Sequence, residues 1–117
     1  MIESAEFGRI IINGQEYKHD IVIYPSGKIE KRKKWLSKKK YGTSHKLDPD
    51  ELREYLKEDF DVLLVGTGIY GLLSVLSESK ALARDKEIIE KPTKEAAELF
   101  NELKSKKRVL AIFHVTC

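Results

Sequence analysis

The stretch Asp61-Val62-Leu63-Leu64-Val65-Gly66-Thr67-Gly68-Ile69-Tyr70-Gly71 decides the fold of this chain. Val62 to Val65 is apolar without alternation, the pattern of a strand buried on both faces. It stops at three glycines spaced G-x-G-x-x-G. Such glycines allow a sharp exit from a strand and let backbone N–H groups approach an anion. Downstream of the turn the pattern is helix, strand, helix, strand. Leu72 to Ala83 has a helical composition, and Lys86 to Glu90 fits a short strand. Thr93 is expected to cap a helix running to about Lys104, because Ala96, Leu99, Phe100 and Leu103 repeat at helical spacing. Arg108 to Val115 closes the chain as a second unalternating strand. Strands of this kind, separated by helices, make a largely parallel sheet covered on both sides.

Upstream, the first third is β-rich. Phe7 to Ile12 is apolar and β-branched, and Asn13-Gly14 follows it, a strong hairpin signal because both residues tolerate positive φ. Gln15 to Tyr24 returns, and Pro25-Ser26-Gly27 turns the chain into Lys28 to Lys33. We read this as a twisted antiparallel unit of three or four strands. A first helix begins after Asp48, with Pro49 at its first position and Glu51 completing a capping box. Leu47 and Leu52 form its staple, and Leu52, Tyr55, Leu56 and Phe60 its inward stripe. The fold class is therefore α/β, with a mixed central sheet, flanking helices and an N-terminal antiparallel β-unit, built as one domain over residues 1–117.

Composition narrows the function classes. Charged residues make up 35% of the chain, above the usual quarter, and lysine and glutamate lead them, a bias that leans towards a thermophilic source. The net charge of +3 is too mild to imply nucleic acid by itself. One cysteine excludes an internal disulfide and fits a reducing cytoplasm. No apolar run reaches the length of about 18 residues that a membrane span needs. The opening Met1-Ile2-Glu3-Ser4 lacks the basic and apolar regions of a signal peptide.

The glycine turn admits two readings. In one, the amides of Gly66, Thr67 and Gly68 bind an anion or a partner's carbonyl at the mouth of the strand, where open α/β sheets place ligands. Glu90 then ends the next strand near the spacing of a ribose-binding carboxylate. The segment from Asp61 to Cys117 is nevertheless too short for the two halves of a dinucleotide fold. In the other reading the glycines only permit a tight exit and close helix packing. Lys28, Lys31, Arg32, Lys33, Lys34, Lys38, Lys39 and Lys40, interleaved with Trp35 and Tyr41, form a basic stretch that could meet nucleic acid. A solvated hairpin and loop explains the same lysines, and Trp35 then serves as a packing anchor.

Catalytic signatures are absent. His19, His45 and His114 have no metal-ligand spacing, and no cofactor is indicated. His114 and Cys117 fall on opposite faces of a regular strand, which argues against a thiol–imidazole dyad. No G-x-S-x-G, P-loop or paired-carboxylate motif occurs. Asn101 and Arg108 carry the remaining side chains suited to a carboxylate, phosphate or peptide group.

Taken in order, Asp20-Ile-Val-Ile-Tyr-Pro25, Trp35, His45 and Leu47, the Gly66-Thr67-Gly68 turn, Thr93 with Ala96 or Ala97, Phe100-Asn101-x-Leu103 and Arg108 resemble the Mth-like domain of unknown function. The ending His114-Val115-Thr116-Cys117 resembles the branch containing the adipogenesis-associated Mth-like protein. A mitochondrial assembly factor for respiratory complex I belongs to the same family. Gly71 and the absence of proline between Ile69 and Leu76 depart from those relatives. The resemblance implies a three-layer α/β domain, no assigned cofactor and an assembly or regulatory role rather than catalysis. The expected function is a non-catalytic binding module whose surface combines Gly66, Thr67, Gly68, Tyr70, Trp35, Asn101 and Arg108, with another protein or a small anionic ligand as partner. A nucleotide-binding enzyme using the turn, and a nucleic-acid surface along Lys28 to Lys40, are the alternatives.

Overall fold

The structure is a computed structural model describing Met1 to Cys117. Its centre is a five-stranded mixed sheet built from β4 (Ile21–Ile23), β5 (Ile29–Lys31), β7 (Val62–Gly66), β9 (Glu87–Lys91) and β10 (Val109–Phe113), in the order β5-β4-β10-β7-β9. β10, β7 and β9 run parallel, while β4 and β5 add an antiparallel edge. Neighbouring residues of β7 and β10 point to opposite faces, and both faces are covered. Val62, Leu64, Ala111 and Phe113 pack on one side, Leu63, Val65, Leu110 and Ile112 on the other. That two-sided burial is why neither strand alternates in sequence.

The first face is covered by α4 (Thr93–Leu103), through Ala96, Ala97 and Phe100, and by a separate antiparallel sheet of β1 (Ile2–Glu6), β2 (Arg9–Ile12) and β3 (Gln15–Tyr17). The second face carries α1 (Trp35–Tyr41), α2 (Pro49–Arg53) and α3 (Ser77–Leu82), and a two-stranded parallel ribbon of β6 (Lys46–Leu47) and β8 (Ser74–Val75). The layers are helix with hairpin sheet, central sheet, and helices.

The Asn13-Gly14 hairpin forms as expected, with φ 50° and 81° at the two residues. Several other expectations need correction. The antiparallel unit has three strands, within the three or four expected, but β4 and β5 belong to the main sheet instead of to it. Its first strand is Ile2–Glu6, and Phe7-Gly8 is a turn rather than the start of a strand. A helix absent from the sequence reading spans Trp35 to Tyr41 and ends on Gly42 in the left-handed region at φ 72°. Of Leu72–Ala83 only Ser77–Leu82 is helical, because Ser74-Val75 pairs with β6. Thr93 does not cap α4; Pro92 takes that position and the threonine side chain is used elsewhere. Asp48 does cap α2, its Oδ1 accepting from Glu51 N–H at 2.9 Å. The Glu51 carboxylate does not close the capping box but turns into the interior.

Candidate functional site

The glycine turn lies where β7 stops, and its amides have internal partners. Thr67 N–H donates to the Lys91 carbonyl at 2.9 Å, and Gly68 N–H to Thr93 Oγ1 at 2.9 Å. Ile69 N–H reaches the Thr116 carbonyl at 2.7 Å. Tyr70 and Leu72 both donate to the Cys117 main-chain oxygen, at 3.2 and 3.0 Å, and Gly71 donates to the Gly68 carbonyl at 3.2 Å. The expectation of free donors is thus overturned: the C-terminal segment occupies the place an anion would take. The glycines are required for that closeness. A Cβ on Gly66 would sit 2.7 Å from the Phe113 ring, and one on Gly68, at φ +109°, would fall onto the Cys117 carbonyl. Thr93 is the clamp. Its hydroxyl donates to the His114 carbonyl while accepting from Gly68, so α4, β10 and the turn share one atom.

Below the turn lies a cluster the sequence did not reveal. Glu51 and His114 have no exposed surface, and Arg32 and Asp20 are each 2% exposed. The Arg32 guanidinium grips Glu51 with two N–H groups, Nε to Oε2 at 2.7 Å and Nη2 to Oε1 at 2.9 Å. A third bond runs from Nη1 to Asp20 Oδ2 at 3.0 Å. Asp20 Oδ2 is also 2.7 Å from His114 Nδ1, and its Oδ1 accepts from Val115 N–H at 2.8 Å. Ser37 and Tyr55 hydroxyls each donate to Glu51 at 2.7 Å. His45 lies edge-on to the His114 ring, with centroids 5.3 Å apart.

Burial by itself would raise the Asp20 carboxyl. His114, the Val115 amide and Arg32 outweigh it and hold the group down at about 2. Burial works to lower Arg32, but its hydrogen bonds and charge pairing with Glu51, then Asp20, leave it above its usual value. Burial first, and Glu51 next, drive the Tyr55 hydroxyl up. No buried side-chain nitrogen or oxygen lacks a partner. A sealed and saturated cluster of this kind ties the residues flanking β4, β5 and β10 to α2. The available signal was Arg32 itself. It is the one arginine among the lysines of its stretch, and its planar fork suits buried bidentate pairing as lysine does not.

The structure disperses the other residues singled out from sequence. Asn101, on α4, spends its amide on β1, accepting from Ile2 N–H and donating to the Ile2 carbonyl, both at 2.8 Å. Arg108 precedes β10, at the far end of the sheet from the turn. Its Nη2 pairs with Asp61 Oδ1 at 3.0 Å, which lowers the Asp61 carboxyl to about 2. Trp35 is 59% exposed on α1, so it is not a packing anchor. In the basic stretch, Lys28, Arg32, Lys33 and Lys40 each have a carboxylate of their own. Tyr70 remains outward at 69% exposure, with Phe7 at 55% and Leu72 at 56%. The Phe7 and Tyr70 ring centroids are 5.9 Å apart. The turn therefore presents an aromatic surface rather than amide donors, and Phe7 is the member the sequence reading missed. No helix is long and apolar enough to cross a membrane.

These features define a small three-layer α/β domain of the Mth-like type. The chain is similar to the solved structure named MT938, at 37% identity over all of this chain and 98% of that one, with a TM-score of 0.87. It is similar also to a conserved hypothetical protein, PH1505, from the thermophilic archaeon Pyrococcus horikoshii OT3, at 69% identity over all of this chain and 99% of that one, with a TM-score of 0.98. A Mth938-like domain from Bordetella pertussis, at 22% identity over 98% of this chain and 85% of that one, shares the fold at a TM-score of 0.63. No curated protein matches. The model of the family described as a protein of unknown function (DUF498/DUF598) matches residues 2–114, and the chain belongs to that family.

Proposed function

We propose that this chain is a non-catalytic cytoplasmic binding module that docks a protein partner on the surface formed by Phe7, Tyr70 and Leu72. The observation that carries this is the exposure of three large apolar side chains beside a turn whose N–H groups from Thr67 to Leu72 are all engaged within the chain. Exposed aromatic pairs of this kind are common anchors of protein interfaces. The turn contributes by rigidity. Its hydrogen bonds to Thr116 and Cys117 hold Tyr70 and Leu72 in place before binding, which lowers the ordering cost of association. The alternative of a nucleotide seated on the turn loses its support, because the donors it needs are engaged.

The test is a quantitative capture experiment comparing the parent chain with a Phe7→Ser, Tyr70→Ser double variant and an Arg53→Ser control. Proteins retained by the parent and the control and lost from the double variant support the docking surface. Identical retention by all three would remove it.

A further inference from the structure

One long edge of the central sheet is open. β9 pairs with β7 on one side and with no strand on the other. Ile88 and Ile89 are half-buried, one towards each face of the sheet, and Glu87, Glu90 and Lys91 are exposed. The ladder to β7 decides which main-chain groups are spare. It begins with Glu87 N–H donating to the Asp61 carbonyl at 3.1 Å, and it ends with the Lys91 carbonyl accepting from Thr67 N–H at 2.9 Å. Successive residues of a strand direct their N–H and C=O groups to opposite sides. Glu87, Ile89 and Lys91 therefore face β7, and the main-chain groups of Ile88 and Glu90 face outwards without a partner in the chain.

Charged side chains ordinarily blunt such an edge. Here their order makes it self-complementary. Lys86 to Lys91 reads Lys-Glu-Ile-Ile-Glu-Lys, the same in both directions. An antiparallel second copy with Ile88 opposite Ile89 would set Lys against Lys and Glu against Glu. The ladder forbids that register, because it matches an outward-facing residue with an inward-facing one. Sliding by one residue puts Ile89 opposite Ile89 of the second copy. Ile88 then exchanges both main-chain hydrogen bonds with Glu90 of the second copy, and Glu87 lies opposite its Lys91. Sliding the other way requires the Lys86 N–H, which already donates to the Ala83 carbonyl at 2.9 Å.

We infer that β9 is the interface of a symmetric dimer, pairing antiparallel with β9 of a second copy about an axis at Ile89 and joining the two five-stranded sheets into one. The Ile89 pair lies at the centre of one face, flanked on both sides by a Glu87–Lys91 pair between copies. Glu87 shares Lys107 within its own chain at 3.2 Å, and Glu90 shares Lys80 at 3.0 Å. Lys91 has no carboxylate of its own chain, so the dimer supplies the one it lacks. Only a second copy carries the mirrored order of charges that this register needs. The contact is one short strand on each side, so association is weak, in the micromolar range. The interface is separate from the docking surface of Phe7, Tyr70 and Leu72.

The experiment is sedimentation velocity of the full chain over a concentration series reaching the millimolar range, with backbone amide resonances followed over the same series. A reversible monomer–dimer equilibrium is expected, with concentration-dependent shifts centred on Ile88, Ile89 and Glu90. Glu87→Lys sets lysines opposite each other on both sides of the axis and should weaken association about tenfold or more. Adding Lys91→Glu exchanges the charges and should restore the parental affinity to within about threefold. Both residues are exposed, so the fold is kept, which the amide spectrum itself verifies. Glu90→Pro removes an outward N–H, a change that an edge strand tolerates, and should abolish the dimer in a folded chain. The Phe7→Ser, Tyr70→Ser variant should associate as the parent does. A monomer at every concentration, or shifts centred on another element, would overturn the assignment. An unaffected Glu87→Lys variant, or a charge-exchanged variant as weak as Glu87→Lys alone, would do so equally. Loss of the dimer in Phe7→Ser, Tyr70→Ser would move the interface to the aromatic surface and overturn it as well.

Discussion

The two ends of the central sheet differ in a way that inverts the usual rule. Open α/β sheets hold ligands beyond the C-terminal ends of their parallel strands. Here that end is sealed. The turn after β7 donates to Thr93, Thr116 and Cys117, and the space above it is filled by the chain. The opposite end, near the start of β10, keeps a cavity lined by Ile12, Ile29 and Phe100. A glycine-rich turn at a strand terminus is therefore a statement about close backbone approach. Whether the approaching group is a ligand or the protein itself depends on where the rest of the chain runs.

The largest effect should come from breaking the sealed end. Gly68→Val places a side chain at φ +109° and onto the Cys117 carbonyl. We expect a loss of about 4 kcal/mol or more in urea unfolding, enough to unfold a marginal domain. A folded variant with near-parental stability would show that the tail can leave the turn. Next is Arg32→Met, which strands Glu51 and Asp20 without their shared cation. The expected cost is about 3–5 kcal/mol by the same measurement. A neutral outcome would mean that the cluster tolerates an apolar replacement.

Acid should sharpen the same contrast. The Asp20 carboxyl is depressed to about 2 in the fold, so its contribution is present above the unfolded value and is lost as pH falls from about 4 towards 2. It amounts to something on the order of 2 kcal/mol. Partly buried Glu30 and Asp61 are depressed over the same range, so the informative quantity is the difference in acid slope between the parent and Asp20→Asn. Equal slopes would locate the acid sensitivity outside the buried cluster. The smallest stability effect belongs to Phe7→Ser with Tyr70→Ser. Replacement of these exposed rings should change the unfolding free energy by less than about 0.5 kcal/mol each. A larger loss would mark them as part of the core and leave no free surface there.

The legible parts of this protein were those written locally. Val62 to Val65 and Val109 to Phe113 were readable as doubly covered strands because burial on both faces removes alternation from the sequence itself. The Asn13-Gly14 hairpin and the Asp48 cap depend on neighbours within a few residues, and both formed. The helix over Trp35 to Tyr41 was missed because its lysines read as a solvated loop, although Gly42 marked its end. The site was harder. Tyr70 was found, but Phe7 meets it across a long separation in the chain and carries no local sign of doing so.

By itself, then, the order of residues determined a covered, largely parallel sheet with a glycine exit from its central strand. Periodicity, turn chemistry and capping act over a few positions and survive any distant rearrangement. Only the tertiary structure decided that Thr116 and Cys117 satisfy the turn, that Arg32 leaves its lysine neighbours for Glu51 and Asp20, and that Phe7 meets Tyr70. Hydrogen bonds and charge pairs act over a few ångströms, and which groups come that close is a property of the packed chain.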